Sequence, residues 1–227
     1  MVRYGVPYAD PHAPHIPSLD RATPARIAET ALRLVDEGGP EALTFRALAA
    51  RLDISVASLQ RRCADLAGLL DLCLDHLAGC LPEVETGVDG DWAAVTETRF
   101  VALYDVLVAH PGLLALRGTR PWLGPHLLAR LAEPQLADNL AIGMTPAEAM
   151  AVYRGMYLLT LGSAGFVDHR DPAATRATTR RALAALDPDE FPVLTAHLAE
   201  FLPTLTDHAV HRTALRHLID AAKEPRP

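Results

Sequence analysis

An all-α fold is predicted from three features of the 227-residue sequence. Half of the residues are hydrophobic but few are aromatic, so Ala and Leu, both good helix formers, supply most of the apolar surface. β-branched runs of strand length are absent. Apolar residues recur at helical spacing between capping residues and Pro/Gly breaks along most of the chain. Leu43–Leu72 is the most informative stretch: two short helices around a tight turn, then a longer one, as in a helix-turn-helix.

Residues 1–22 carry four prolines and no periodicity, which predicts a flexible arm. Thr23-Pro24 caps and starts a first helix with Ile27, Ala31, Leu34 and Val35 inward, stopped by Glu37-Gly38-Gly39-Pro40. Thr44 caps the second, with Phe45, Leu48, Ala49 and Leu52 inward. Ser55 caps the third over Val56 and Leu59, and Asp65 caps the fourth, striped by Leu66, Leu69, Leu70, Cys73, Leu74 and Leu77.

The Pro/Gly/acid-rich break from Leu81-Pro82 to Gly90 divides the chain into a helix-turn-helix domain (23–80) and a second helical domain (91–222). Asp91-Trp92 opens a helix to about His110, and Pro111-Gly112 a short segment. Further helices are expected from about Pro125 to Ile142 and, after the stop and cap at Gly143–Pro146, from Ala147 to about Val167. The latter is apolar on nearly every face, as for a helix buried between neighbours. Residues 168–187, with four arginines among Ala and Thr, read as a mobile loop or short helix. Helices near Val193–Phe201 and Leu205–Ala222 close the chain.

The net charge of −7 excludes a protein that coats nucleic acid over its whole surface, so any DNA contact needs a local basic patch. Residues 44–62 provide one: Arg46, Arg51, Arg61 and Arg62 against Asp53 alone. Thr44, Ser55, Ser58 and Gln60 add hydrogen-bonding groups for phosphates or base edges. An ordinary solvated helix face has the same charge pattern, and residues 21–76 hold more acids than bases.

Cys63, Cys73 and Cys80 form no disulfide framework and no CxxC pair, and read as buried thiols. His208 and His211 lie one turn apart, but without supporting Cys or carboxylates they read as solvated or interface histidines. No metal, cofactor or catalytic motif is expected: there is no phosphate loop, GxSxG or HExxH. With no leader and no membrane-spanning run, a soluble cytoplasmic protein without membrane contact is expected.

The sequence resembles the TetR family of one-component bacterial transcription regulators. The resemblance rests on an AxxLxxExG-like helix (Ala28 to Gly38), LTxRxLAxxL (Leu43 to Leu52), the short turn and xLLDL (Gly68 to Leu72). In the second domain, Asp91-Trp92, Ala109-His110-Pro111, Gly118-Thr119-Arg120-Pro121 and Ile142-Gly143-Met144-Thr145 resemble words of the tetracycline-repressor branch. It implies a dimeric regulator, most often a repressor, that inserts Ser55–Arg62 into the major groove of operator DNA, uses residues 91–222 for ligand binding and dimerisation, and is released by a small-molecule effector.

The recognition helix departs from the family pattern. Gln60 stands in the Tyr position, Arg62 in the His/Phe position, Leu66 in the Lys position, and Asp53 replaces the turn glycine. Arg61 and Arg62 are the residues that could replace the lost phosphate contacts. Leu116 occupies the position of a metal-ligating His, which argues against a magnesium–tetracycline effector.

Tyr104, Trp122, His126, Tyr153, Tyr157 and Thr160 are the polar groups on apolar helices from which an effector pocket could be built. The last two long helices are the expected dimer elements; Gly155, Gly162, Ser163, Ala164 and Gly165 would allow close approach between subunits or, equally, within one. The departures also motivate a second reading, a TetR-like scaffold turned to chemistry or metabolite binding through Tyr104, His126, Arg154 and Tyr157.

Overall fold

The computed structural model describes residues 22–84, 91–117, 124–166, 172–205 and 210–223. All regular elements among them are helical. The first lobe is built from α1 (Pro24–Gly38), α2 (Phe45–Leu52), α3 (Val56–Cys63) and α4 (Leu66–Gly79), with a 3₁₀ turn at Pro40–Ala42. The second holds α5 (Trp92–Ala109), α6 (Pro111–Arg117), α7 (Pro125–Leu127), α8 (Glu133–Ala141), α9 (Pro146–Phe166), α10 (Pro172–Ala184), α11 (Pro192–Ala196), α12 (Leu198–Leu205) and α13 (Val210–Lys223).

The helix starts are set by local chemistry. Thr23, Thr44, Ser55 and Asp65 each accept a hydrogen bond from the backbone N–H three residues on, at 2.9–3.3 Å. At α9, Thr145 and Glu148 form a reciprocal capping box. Asp53 ends α2 in the left-handed conformation (φ 55°, ψ 47°), where a short carboxylate side chain replaces the more usual glycine.

Three expectations are corrected. The segment between Pro125 and Ile142 is not one regular α-helix, because residues Leu128–Ala132 form a π-helical turn between α7 and α8. Val56 and Leu66, expected inward, are 37% and 42% exposed, while the arginine-bearing segment, read as a loop or a short helix, takes the helical form as α10, thirteen residues long and packed with α11 and α12. α9 is not enclosed on every face, since Met150 and Leu158 are 48% and 53% exposed. The arm (1–21) and His208 lie outside the described residues.

The core of the first lobe is the inward face of α1–α4: Ile27, Leu48, Leu59, Leu69 and Leu74 are fully enclosed. In the second lobe α5 runs along α9, with α13 closing on both and α8 on α9. The lobes meet where α6 touches α1 and α7 touches α4. Two glycines make that junction possible: a Cβ at Gly112 would strike the Val35 side chain, and one at Gly124 the Asp75 carboxylate. Among the described residues, no helix is long and apolar enough to cross a membrane.

Candidate functional site

α3 buries Leu59 and Cys63 against the lobe and leaves Gln60, Arg61 and Arg62 exposed. Thr44 and Ser55, both proposed DNA contacts, spend a side-chain oxygen on capping and remain exposed. The four arginines are not equivalent. Arg51, itself exposed, pairs with Glu37 of α1 at 2.9 Å. Arg62 lies back along its own helix, donating to the Ser58 hydroxyl at 3.3 Å. Arg46 and Arg61 make no ion pair with any described residue; both are exposed.

The cysteines divide. Burial raises the Cys63 thiol against the opposing pull of Arg62, and pushes Cys73 up to about 12. Both remain protonated packing groups. Cys80, expected to be buried, is exposed because α4 stops at Gly79 and the residue falls on the cap.

In the second lobe the proposed pocket residues separate into two places. Tyr104 of α5 stacks on His211 of α13 with ring centroids 4.2 Å apart and planes 6° from parallel. The fully buried Thr160 of α9 lies 3.1 Å from His211 Nε2 and donates its single proton to the Met156 carbonyl. Thr160 is therefore the acceptor, and Nε2 carries the imidazole proton. Burial lowers the His211 pKa and raises that of Tyr104, so the pair is uncharged near neutrality. One turn away, Tyr153 stacks on Tyr157 at 5.9 Å, and Phe100 leans on Tyr153 at 6.1 Å.

His126 is not part of this cluster. It sits in α7 against α4, paired with Asp75 at the junction of the lobes. Trp122 lies outside the described residues.

Several buried polar groups escaped the sequence reading. His211, expected to be solvated or at an interface, is 2% exposed inside the lobe; its spacing from Leu215 and Ile219, four and eight residues on, was the available signal. Arg99 of α5, 3% exposed, pairs with Asp138 and donates to Gln135 Oε1 and, at 2.7 Å, to the Val84 carbonyl. Gln135 donates to Thr96 and Asn139; Asn139 accepts from the Trp92 indole at 2.9 Å and donates to the Ala149 carbonyl. Gln135 and Asn139 continue the Leu127, Leu131 stripe at fourfold spacing, which marked them as inward. Arg130 donates to the Leu81 carbonyl at 2.7 Å. Arg99 and Arg130 thus hold the connector between the lobes by its backbone.

A helix-turn-helix lobe followed by this helical lobe matches a known pattern. The tetracyclin repressor-like C-terminal domain family matches residues 84–224. The chain belongs to the TetR family. A TetR-family HTH-type transcriptional regulator would be expected among its relatives, and an HTH-type transcriptional regulator of Saccharopolyspora erythraea is 32% identical over 177 residues, 76% of this chain and 73% of that protein. The HTH-type transcriptional repressor DrrR1 of Streptomyces coeruleorubidus is 34% identical over 126 residues, covering 56% of this chain and 46% of the repressor. Apo ActR from Streptomyces coelicolor shares the fold, with a TM-score of 0.74 at 22% identity over 89% of this chain and 95% of that one. ActR in complex with (S)-DNPA superposes with a TM-score of 0.72 at 24% identity, over 89% and 97% of the two chains. This TetR-family chain is a transcriptional regulator, and regulators of the family bind operator DNA and small-molecule effectors.

Proposed function

We propose that residues 23–80 bind operator DNA, that residues 91–222 form the effector and dimerisation domain, and that the chain is a repressor released by its effector. The observation that carries this reading is the two-sidedness of α3: Leu59 and Cys63 are enclosed while Gln60, Arg61 and Arg62 face out. A helix fixed by its apolar face and polar on the other suits a major groove. DrrR1 being a repressor supports the sign of regulation.

The dimer is supported by α9. Met150, Gly155 and Leu158 lie exposed on it, and a Cβ built at Gly155, Gly162 or Gly165 meets nothing within 4 Å among the described residues. These glycines are not needed for packing inside one subunit, which leaves close approach to a second copy as their use. Leu218 of α13, also exposed, would complete a four-helix interface.

The effector is proposed to be a planar aromatic molecule bound beside Tyr104, Tyr153, Tyr157 and Thr160, with His211 added. Stacked rings and directed polar groups offer it faces and hydrogen bonds. ActR with bound (S)-DNPA supports a small organic effector. Binding there would displace α6 and α7, which press on α1 and α4, and change the separation of the two heads.

An anisotropy titration on the intergenic DNA beside the chain's own gene, repeated across salt, tests the proposal. Saturable, salt-sensitive binding by a dimer is expected. Absent or salt-independent binding rejects it.

A further inference from the structure

His211 is the second residue of α13, and three helices meet on it. Tyr104 of α5 covers one face of its ring, Thr160 of α9 lies at Nε2, and the residue is almost wholly enclosed. The hydrogen bonds there run in one direction. Thr160 gives its only proton to the Met156 carbonyl at 2.8 Å, the shorter of its two contacts, and so accepts from Nε2–H at 3.1 Å. An acceptor at one ring nitrogen fixes the tautomer, which leaves Nδ1 without a proton. Burial lowers the pKa of the ring, opposed by Asp105 on α5 and reinforced by Arg212 on α13, so no second proton joins it near neutrality.

Nδ1 is therefore a bare acceptor, and among the described residues nothing donates to it. The other polar side chains enclosed in this lobe differ: Thr96, Gln135 and Asn139 are joined to one another and to their neighbours. A buried polar atom left without a partner is uncommon in a folded protein and marks a place where something else is to bind.

The argument from here rests on the effector position given under Proposed function. We propose that His211 sets the specificity of that site, accepting at Nδ1 a hydrogen bond from a hydroxyl on the aromatic effector, which is a phenol. An ether, a quinone carbonyl or a carboxylate would bring one lone pair to another and leave Nδ1 unsatisfied. An ammonium would carry an unbalanced charge into an enclosed place. Among neutral aromatic donors a phenol makes the strongest hydrogen bond. Thr160 does not touch the ligand; it is a positioning residue that holds the ring proton on Nε2.

Two measurements test this. Nitrogen-15 NMR of the unliganded chain reads the tautomer, with the His211 signals assigned by their absence in His211→Phe. The Nε2–H form is expected, and Thr160→Val should mix the two forms. Isothermal titration of the full chain compares 2-naphthol with 2-methoxynaphthalene and naphthalene, all planar and differing at one substituent. 2-Naphthol should bind about tenfold more tightly than either. His211→Phe, which keeps a ring beside Tyr104, should remove that preference, and Thr160→Val should reduce it. Circular dichroism checks that each variant is folded, and the three-ligand comparison stands on the unsubstituted protein alone. Binding of all three without preference overturns the inference and leaves the effector position standing. A preference that survives in folded His211→Phe, or an Nδ1–H tautomer in the free chain, also overturns it. Saturable binding of none of the three overturns the effector position and this inference with it.

Discussion

His126 grips Asp75 twice: its backbone N–H donates to Oδ1 at 2.9 Å and its ring Nδ1 lies 2.8 Å from Oδ2. The residues are 51 apart in sequence and belong to different lobes. This is a direct polar link between α4 of the first lobe and α7 of the second. Asp75→Ala should remove both contacts, and His126→Ala only the ring contact. In a double-mutant cycle on urea unfolding, a coupling of about 0.5–1 kcal/mol is expected for this partly exposed pair. Strict additivity of the two substitutions would show that the pair carries no coupling.

The DNA face makes a graded prediction. Arg61→Ala should weaken operator binding and lower the salt slope by about one, because it removes one phosphate partner. Arg62→Ala should do the same once the side chain leaves Ser58. Arg51→Ala should change affinity less, since Glu37 already holds that guanidinium. Anisotropy titrations at several salt concentrations rank the three; Arg51 ranking first would contradict the placement.

His211 predicts a pH dependence. Burial lowers its pKa in the folded protein below the ordinary 6.5, so between those two values the unfolded chain binds a proton that the folded one does not. Its contribution to stability is therefore present above about pH 6.5 and lost as pH falls through the folded value. The melting temperature should fall between pH 7 and pH 5, and His211→Gln should flatten that fall whatever it does to the absolute value. An unchanged slope in the variant would assign the acid sensitivity elsewhere.

Arg99 is the most consequential buried charge. Arg99→Met removes the buried guanidinium from the Asp138 carboxylate and the Val84 carbonyl together, and should cost about 3–5 kcal/mol in urea unfolding. Arg99→Met with Asp138→Leu should cost less than Arg99→Met alone, because the carboxylate that Arg99 balanced is gone as well. A larger loss in the double variant would mean the carboxylate is already satisfied without Arg99.

Leu158→Arg places a charge on the exposed apolar face of α9. Sedimentation should show the dimer shifted to monomer, and operator affinity should fall with it. A dimer that persists unchanged would move the interface off α9.

What the sequence made legible was local. Thr44, Ser55, Asp65 and the Thr145–Glu148 box announce helix starts because each cap reaches only three residues along the chain. The inward stripes of α1–α4 were readable for the same reason, being a matter of spacing, except at Val56 and Leu66, which open α3 and α4 and stay exposed. His126 was not: polar residues on an apolar helix look alike whether they face a pocket or a neighbouring lobe, and only the fold brings Asp75 to it. α10 read as either a loop or a short helix because Thr and Arg leave it weakly amphipathic, and its helical state is supported by α11 and α12. Arg99 lay unnoticed between Thr96 and Phe100 because a buried arginine is rare enough that the exposed reading wins by default.

The π-helical turn at Leu128–Ala132 has its own consequence for how this protein can vary. Each residue of an α-helix advances the face by about 100°. Upstream of the turn, His126 is aimed at the head; downstream, Gln135 and Asn139 are aimed at α5 and α9. Losing one residue within the turn would let an unbroken α ladder form, but would swing one set of side chains off its partners. The surplus residue therefore works as a phase setting between two meshed surfaces. Substitutions on either side can accumulate independently, whereas a change of length there alters both at once.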